Sequence, residues 1–118
     1  MAMIYPEAKH APLTLLSEEE RLFRETVRRF AEERVRPRVA AMDRAGVMDP
    51  ELIREIFELG LMGIEVPESF GGAGLSFFAS VLAVEELSRV DPSVGVFVDV
   101  QNTLVNNGIA RYGTAEQK

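Results

Sequence analysis

Cysteine is absent from the sequence, which excludes a disulfide framework and a thiolate metal site and fits a reducing compartment. Histidine occurs once, as His10, so a Ser-His-Asp arrangement or a histidine metal site would rest on a single residue near the N-terminus. No apolar run approaches the ~20 residues needed to span a bilayer. The opening MAMIYPEAKHAPLT carries no apolar core behind a basic stretch, as a secretory leader would. Basic charge is in deficit too: the formal net charge is −6, which leaves no excess of cations to displace the counterions of a nucleic acid. These absences together lead us to expect a soluble, cytoplasmic protein with no nucleic-acid partner, no membrane span and no metal site.

What is present suits one domain. The 118 residues are 47% apolar and 27% charged, enough for a real core beneath an ordinary surface. Residues 1–13, with Pro6 and Pro12, read as an N-terminal arm, and residues 14–118 as the folded part. Ser17 with Glu20 forms a capping box, whose two side chains satisfy amides of a helix's first turn. Leu22, Phe23, Val27, Phe30, Ala31 and Val35 then recur at spacings of three and four, one stripe of a helix. Pro37 lacks an amide donor and crowds the turn before it, so it should kink this helix, which resumes at Val39, Ala40 and Met42. Arginines crowd residues 21–38, but Glu25, Glu32 and Glu33 sit among them, the pattern of a salt-bridged surface.

In DPELIREIFELG, Asp49 caps, Pro50 takes the first turn and Gly60 stops the helix, with Leu52, Ile53, Ile56, Phe57 and Leu59 as its buried face. An ordered loop follows, rich in glycine and proline. Ser76 caps a helix so widely apolar that it must be packed on more than one side. Asp91-Pro92 starts another. There Val94, Val96, Val98 and Val100 alternate as in a strand, yet the cap and the helical surroundings favour helix. The fold class expected is all-α, an antiparallel helical bundle.

The search for chemistry is mostly negative. Glu85 and Glu86 are neighbours, and adjacent residues on a helix face different ways, which favours paired or solvated roles over acid–base work. The GGAG run at residues 71–74 lacks both the spacing of a dinucleotide loop and the lysine of a P-loop, and reads as a tight turn requiring positive φ. No catalytic, cofactor-binding or metal-binding residue emerges.

A family resemblance enters with GLMGIEVPESFGGAG and VLAVEELSRVDPSVGVFVDVQNTL. Pro67, Glu68, Gly71, Gly72 and Gly74 meet a P-E-x-x-G-G-x-G loop, and Glu85, Glu86 and Leu87 meet the E-E-L of the next helix. FAEERVRPRVAAMDRAG resembles a kinked first helix, and RYGTAEQK a turn into a further one. Over residues 14–118 the chain resembles the N-terminal domain of the acyl-CoA dehydrogenases, nearest the short/branched-chain members. The resemblance implies a longer parent that binds FAD, oxidises an acyl-CoA to a trans-2-enoyl-CoA, passes electrons to electron transfer flavoprotein and assembles as a homo-tetramer. It also implies that these residues are incomplete at the C-terminal end, where Thr114 and Gln117 cap a helix that does not follow, and inactive alone. The family has helix over residues 92–112, with a break near residues 106–108.

The resemblance implies two roles. Val96, Val100 and Leu104 match the wall of the acyl slot and share one helical face, although plain core is the alternative. Phe23, Phe30, Leu59, Leu61 and Leu75 match the pocket on which the electron acceptor docks, with ordinary core again the alternative. Ala73, Ala83 and Arg34 depart there from the residues of some relatives. A reading of another class is a stand-alone helical interaction module without catalysis.

Overall fold

The computed structural model describes residues 12–118, every element of which is helical. The leading part of the expected arm, His10 included, lies outside the described residues. Helix α1, Glu18–Phe30, begins on the expected capping box: the Ser17 hydroxyl accepts from the Glu20 amide at 3.1 Å, and the Glu20 carboxylate accepts from the Ser17 amide at 2.8 Å. Val27, Ala31 and Val35 are fully buried, while Leu22 is exposed. Leu22 is five positions from Val27, about 140° round the helix, so it leaves the stripe that the spacing suggested.

The kink at Pro37 takes a particular form. The chain first widens into a π-helical turn, Ala31–Val35, in which the Arg36 amide reaches back five residues to the Ala31 carbonyl. It then tightens into a 3₁₀ turn, Arg36–Arg38, and resumes as α2, Val39–Ala45. A proline cannot donate to the carbonyl four residues back and its ring collides with it, so the loose and tight turns absorb that misfit. The Arg38 guanidinium donates to the Arg34 carbonyl at 2.9 Å, satisfying a group at the disturbed turn.

Helix α3, Pro50–Glu58, is capped by Asp49, whose carboxylate accepts from the Glu51 amide at 2.9 Å. It buries Leu52 and Ile56, with Ile53 half-buried; Phe57 and Leu59 are exposed, contrary to expectation. Phe57 follows Ile56 directly and so sits about 100° away from the core. The connection that follows is ordered by backbone bonds: Ala73 to Gly63 at 2.9 Å, Gly74 to Val66 at 2.9 Å and Leu75 to Ile64 at 2.8 Å, amide to carbonyl. Gly71 and Gly74 have φ of 83° and 63°, as the turn reading required. Between them, a Cβ on Gly72 would lie 2.0 Å from the Val66 carbonyl oxygen, so this close approach admits no side chain.

Helix α4, Phe77–Ser88, is capped by Ser76 and packs on both α1 and the following α5, Pro92–Asp99, which explains its wide apolar face. The core gathers Val27, Ala31 and Val35 with Leu52 and Ile56, then Leu61 and Ile64 from the loop, Ala83 and Leu87 from α4, and Val94 and Val98 from α5. Helix α5 runs without a break into a π-helical stretch, Val100–Asn106, and then α6, Asn107–Tyr112. The break expected near residues 106–108 is thus a change of winding. Gly113 ends α6 with an ordinary φ of −70°; a Cβ there would lie 2.5 Å from the Ile109 carbonyl oxygen. The last capping box forms as its sequence suggests, with the Thr114 amide 2.9 Å from Gln117 Oε1 and the Gln117 amide 3.4 Å from Thr114 Oγ1.

Candidate functional site

The alternating valines resolve into two opposite faces of one helix. Residues two apart on an α-helix lie about 200° apart, so alternation sends successive valines to opposite sides. Val94 and Val98 are fully buried against α4, whereas Val96 is 59% exposed, Val100 38% and Leu104 66%. The outward three are therefore not core. They form an open apolar face supported from behind by the core. A run of four-residue steps drifts one way round an α-helix and the other way round a π-helix, whose bonds span five residues. Passing from α5 into the π stretch keeps Val96, Val100 and Leu104 in line.

Asn102, 2% exposed, holds the inner side of that helix. Its Oδ1 accepts from the Ile64 amide at 2.9 Å, and its Nδ2 donates to the carbonyls of Leu61 at 2.8 Å and Val98 at 2.9 Å. Carbonyls only accept, so these partners fix which way the amide points. Asn106, one turn on, donates to the Met62 carbonyl at 2.8 Å and accepts from Gln101 at 2.8 Å. A buried carbonyl or amide stripped of such a partner costs about 1–3 kcal/mol. Sequence reasoning did not single out this pair, because Asn102 and Asn106 stand among Gln101, Thr103 and Asn107, and nothing in that polar run marks which side chains turn inward. Beside it, a cleft of about 480 Å³ opens between the 65–70 loop and the helix, lined by Glu65, Pro67, Phe70, Asn106 and Ile109 among others; Val96, Val100 and Leu104 lie outside it.

The residues assigned to acceptor docking separate. Leu61 is 1% exposed and belongs to the core, and Phe23 and Phe30 pack half-buried against that core. Leu59 and Leu75 are exposed and flank the loop that Gly60 and Ala73 bring together. Ala83 is fully buried. Leu61 sits at the centre because Ile64, its loop neighbour, and the Asn102 contact draw residues 61–64 inward.

Charge is used to join helices. Arg28 makes a two-pronged contact with Glu86, both bonds 2.9 Å, and the carboxylate is buried while neighbouring Glu85 is exposed. Arg34 and Arg38 converge on Glu55 of α3, where their hydrogen bonds hold its carboxyl down at about 2. Of the crowded arginines, Arg36 alone among these pairs within its own helix, with Glu32. Among the described residues no three His, Asp or Glu side chains gather as a metal site, and no helix is long and apolar enough to cross a membrane.

A model of the family described as "Acyl-CoA dehydrogenase, N-terminal domain" matches residues 17–118. The chain is 51% identical over 107 residues to the "Probable short/branched chain specific acyl-CoA dehydrogenase" of Dictyostelium discoideum, covering 91% of this chain and 26% of that protein. Among solved structures it resembles butyryl-CoA dehydrogenase from Megasphaera elsdenii, with TM-score 0.79, 32% identity, and coverage of 87% of this chain and 28% of that one. It also resembles a chain in a structure described as the electron transferring flavoprotein of Acidaminococcus fermentans, with TM-score 0.82, 37% identity and coverage of 87% and 27%. The chain thus spans about a quarter of the length of these relatives. By its match across residues 17–118, the chain belongs to the acyl-CoA dehydrogenase family and carries that family's N-terminal domain.

Proposed function

We propose that this chain is the N-terminal part of an FAD-dependent enzyme that desaturates a short or branched acyl-CoA, and that its contribution is an apolar wall for the acyl chain. The observation that carries the proposal is the outward face of Val96, Val100 and Leu104, open at the surface yet backed by a buried valine face and held in register. Three apolar side chains in line suit a short hydrocarbon, and one methylene of misfit in such a slot is worth about 1–3 kcal/mol of discrimination. The outward face of Val96, Val100 and Leu104 consists of hydrocarbon side chains and so offers a flavin no side-chain donor. No step of the oxidation is therefore assigned to this chain. In the full-length enzyme, Val100→Glu should depress kcat/KM for short branched acyl thioesters about tenfold or more, on that scale of discrimination. Specificity constants equal to wild type in that variant would remove the proposal.

A second role concerns electron transfer flavoprotein as acceptor. It is supported by the exposed pair Leu59 and Leu75 and by the likeness to a chain in a structure described as such a flavoprotein. Leu61 cannot test it, because emptying a core leucine costs about 2–5 kcal/mol of folding energy. Leu59→Ala with Leu75→Ala should slow reduction of the flavoprotein while leaving dye reduction intact. Equal loss with both acceptors would count against docking there.

A further inference from the structure

We propose that Asn102 and Asn106 are positioning residues that set the depth of the acyl wall, and hence the chain-length preference, by locking the helix behind it to residues 61–64. The inference rests on the reading of Val96, Val100 and Leu104 as that wall. The two asparagines lie on the side of the helix that carries Val94 and Val98, opposite the wall. Together they engage the carbonyls of Leu61 and Met62 and the amide of Ile64, three backbone groups of one short non-helical segment. That segment is anchored by side chains of Leu61, Met62 and Ile64, all buried in the core. The contacts fix both the rotation of the helix and its position along its axis, since each asparagine meets a different residue of the segment. A wall built on the same turns can then neither roll nor slide. The π winding begins where the wall continues past Val100, so the clamp holds the part of the helix whose pitch is least like that of an ordinary α-helix.

The test uses the full-length enzyme and compares kcat/KM for butyryl, 2-methylbutyryl and octanoyl thioesters of coenzyme A. Asn106→Ala removes the half-buried prong. Asn102→Asp keeps the acceptor for Ile64 but turns a carboxylate oxygen toward two carbonyls. The expected result is a narrowed preference: the ratio of short to long substrate falls about tenfold, the scale of one methylene in an apolar slot, with KM for the short substrates rising and kcat little changed. Lowering the pH, which protonates the new carboxyl and restores one donor, should recover part of the ratio in Asn102→Asp. A role in folding alone would scale all three substrates together, so an unchanged ratio in Asn106→Ala would overturn the proposal even if total activity fell. If the unmodified enzyme were to turn over none of the three, the acyl-wall reading itself would fail.

Discussion

Glu55 shows how single residues tie this bundle together. Its carboxylate sits on α3 and receives Arg34 and Arg38 from the kinked segment, so one group joins two elements across the chain. The hydrogen bonds from the arginines lower its folded-state pKa from 4.5 to about 2. A depressed acid contributes stability that is complete above its unfolded pKa and is lost as pH falls through the folded one. Thermal unfolding followed between pH 5 and pH 2 should therefore show the melting temperature falling across that window, and Glu55→Gln should be less stable at pH 7 but flatter in acid. An acid limb identical in the two proteins would show that the contact contributes nothing. Glu86 illustrates a different residue-scale lesson: adjacent acids in the sequence, Glu85 and Glu86, have unrelated surroundings, one in solvent and one buried against Arg28.

At the scale of elements, the punctuation was legible in the sequence. Ser17 with Glu20, Asp49-Pro50, Ser76, Asp91-Pro92 and Thr114 with Gln117 act through bonds to residues at most three positions away, and each stands as read. The orientation of long side chains was less legible, because Phe57 and Leu59 differ from Ile56 only in what lies opposite them. The valine alternation misleads for a physical reason: a helix apolar on two opposite faces repeats every two residues, as a strand does. The π turns were not foreseeable, since one follows from how Pro37 is accommodated and the other accompanies asparagine contacts to a distant loop. The crossing of α4 and α5 is also a product of space. A Cβ on Gly95 would lie 2.0 Å from Ser88 Oγ and 3.1 Å from Ser88 Cβ. Gly95→Ala should destabilise the chain by about 1–3 kcal/mol, as overpacking does. Ser88→Ala in the same chain should recover part of that loss, which a double-mutant cycle in urea would measure. Strict additivity would mean that the two residues do not meet in this way.

For the whole molecule, the informative feature is how much apolar surface the helices leave uncovered after the core is complete. Val96, Val100 and Leu104 on one face, with Leu59 and Leu75 elsewhere, are large and outward-facing, while Val94, Val98 and Leu61 behind them are sealed. Such a surface fits a domain that covers something else, and the relatives are about four times longer than the matched span. The family could be recognised from residues 14–118 because the loop and helix motifs survive in order. The roles within it could not, because exposure is set by packing: Val96, Val100 and Leu104 on the helix proved open and Leu61 in the loop proved closed, although all four are equally apolar in the sequence.

If the proposal holds, residues 17–118 supply a working N-terminal domain to an acyl-CoA dehydrogenase. The most direct measurement replaces the matching stretch of a short/branched-chain relative with residues 17–118 and follows desaturation of 2-methylbutyryl-CoA by the purified chimera. The expected result is turnover of that substrate by a flavin-bearing protein, abolished or strongly reduced by Val100→Glu. A chimera that folds and retains its flavin yet desaturates no acyl thioester would contradict it.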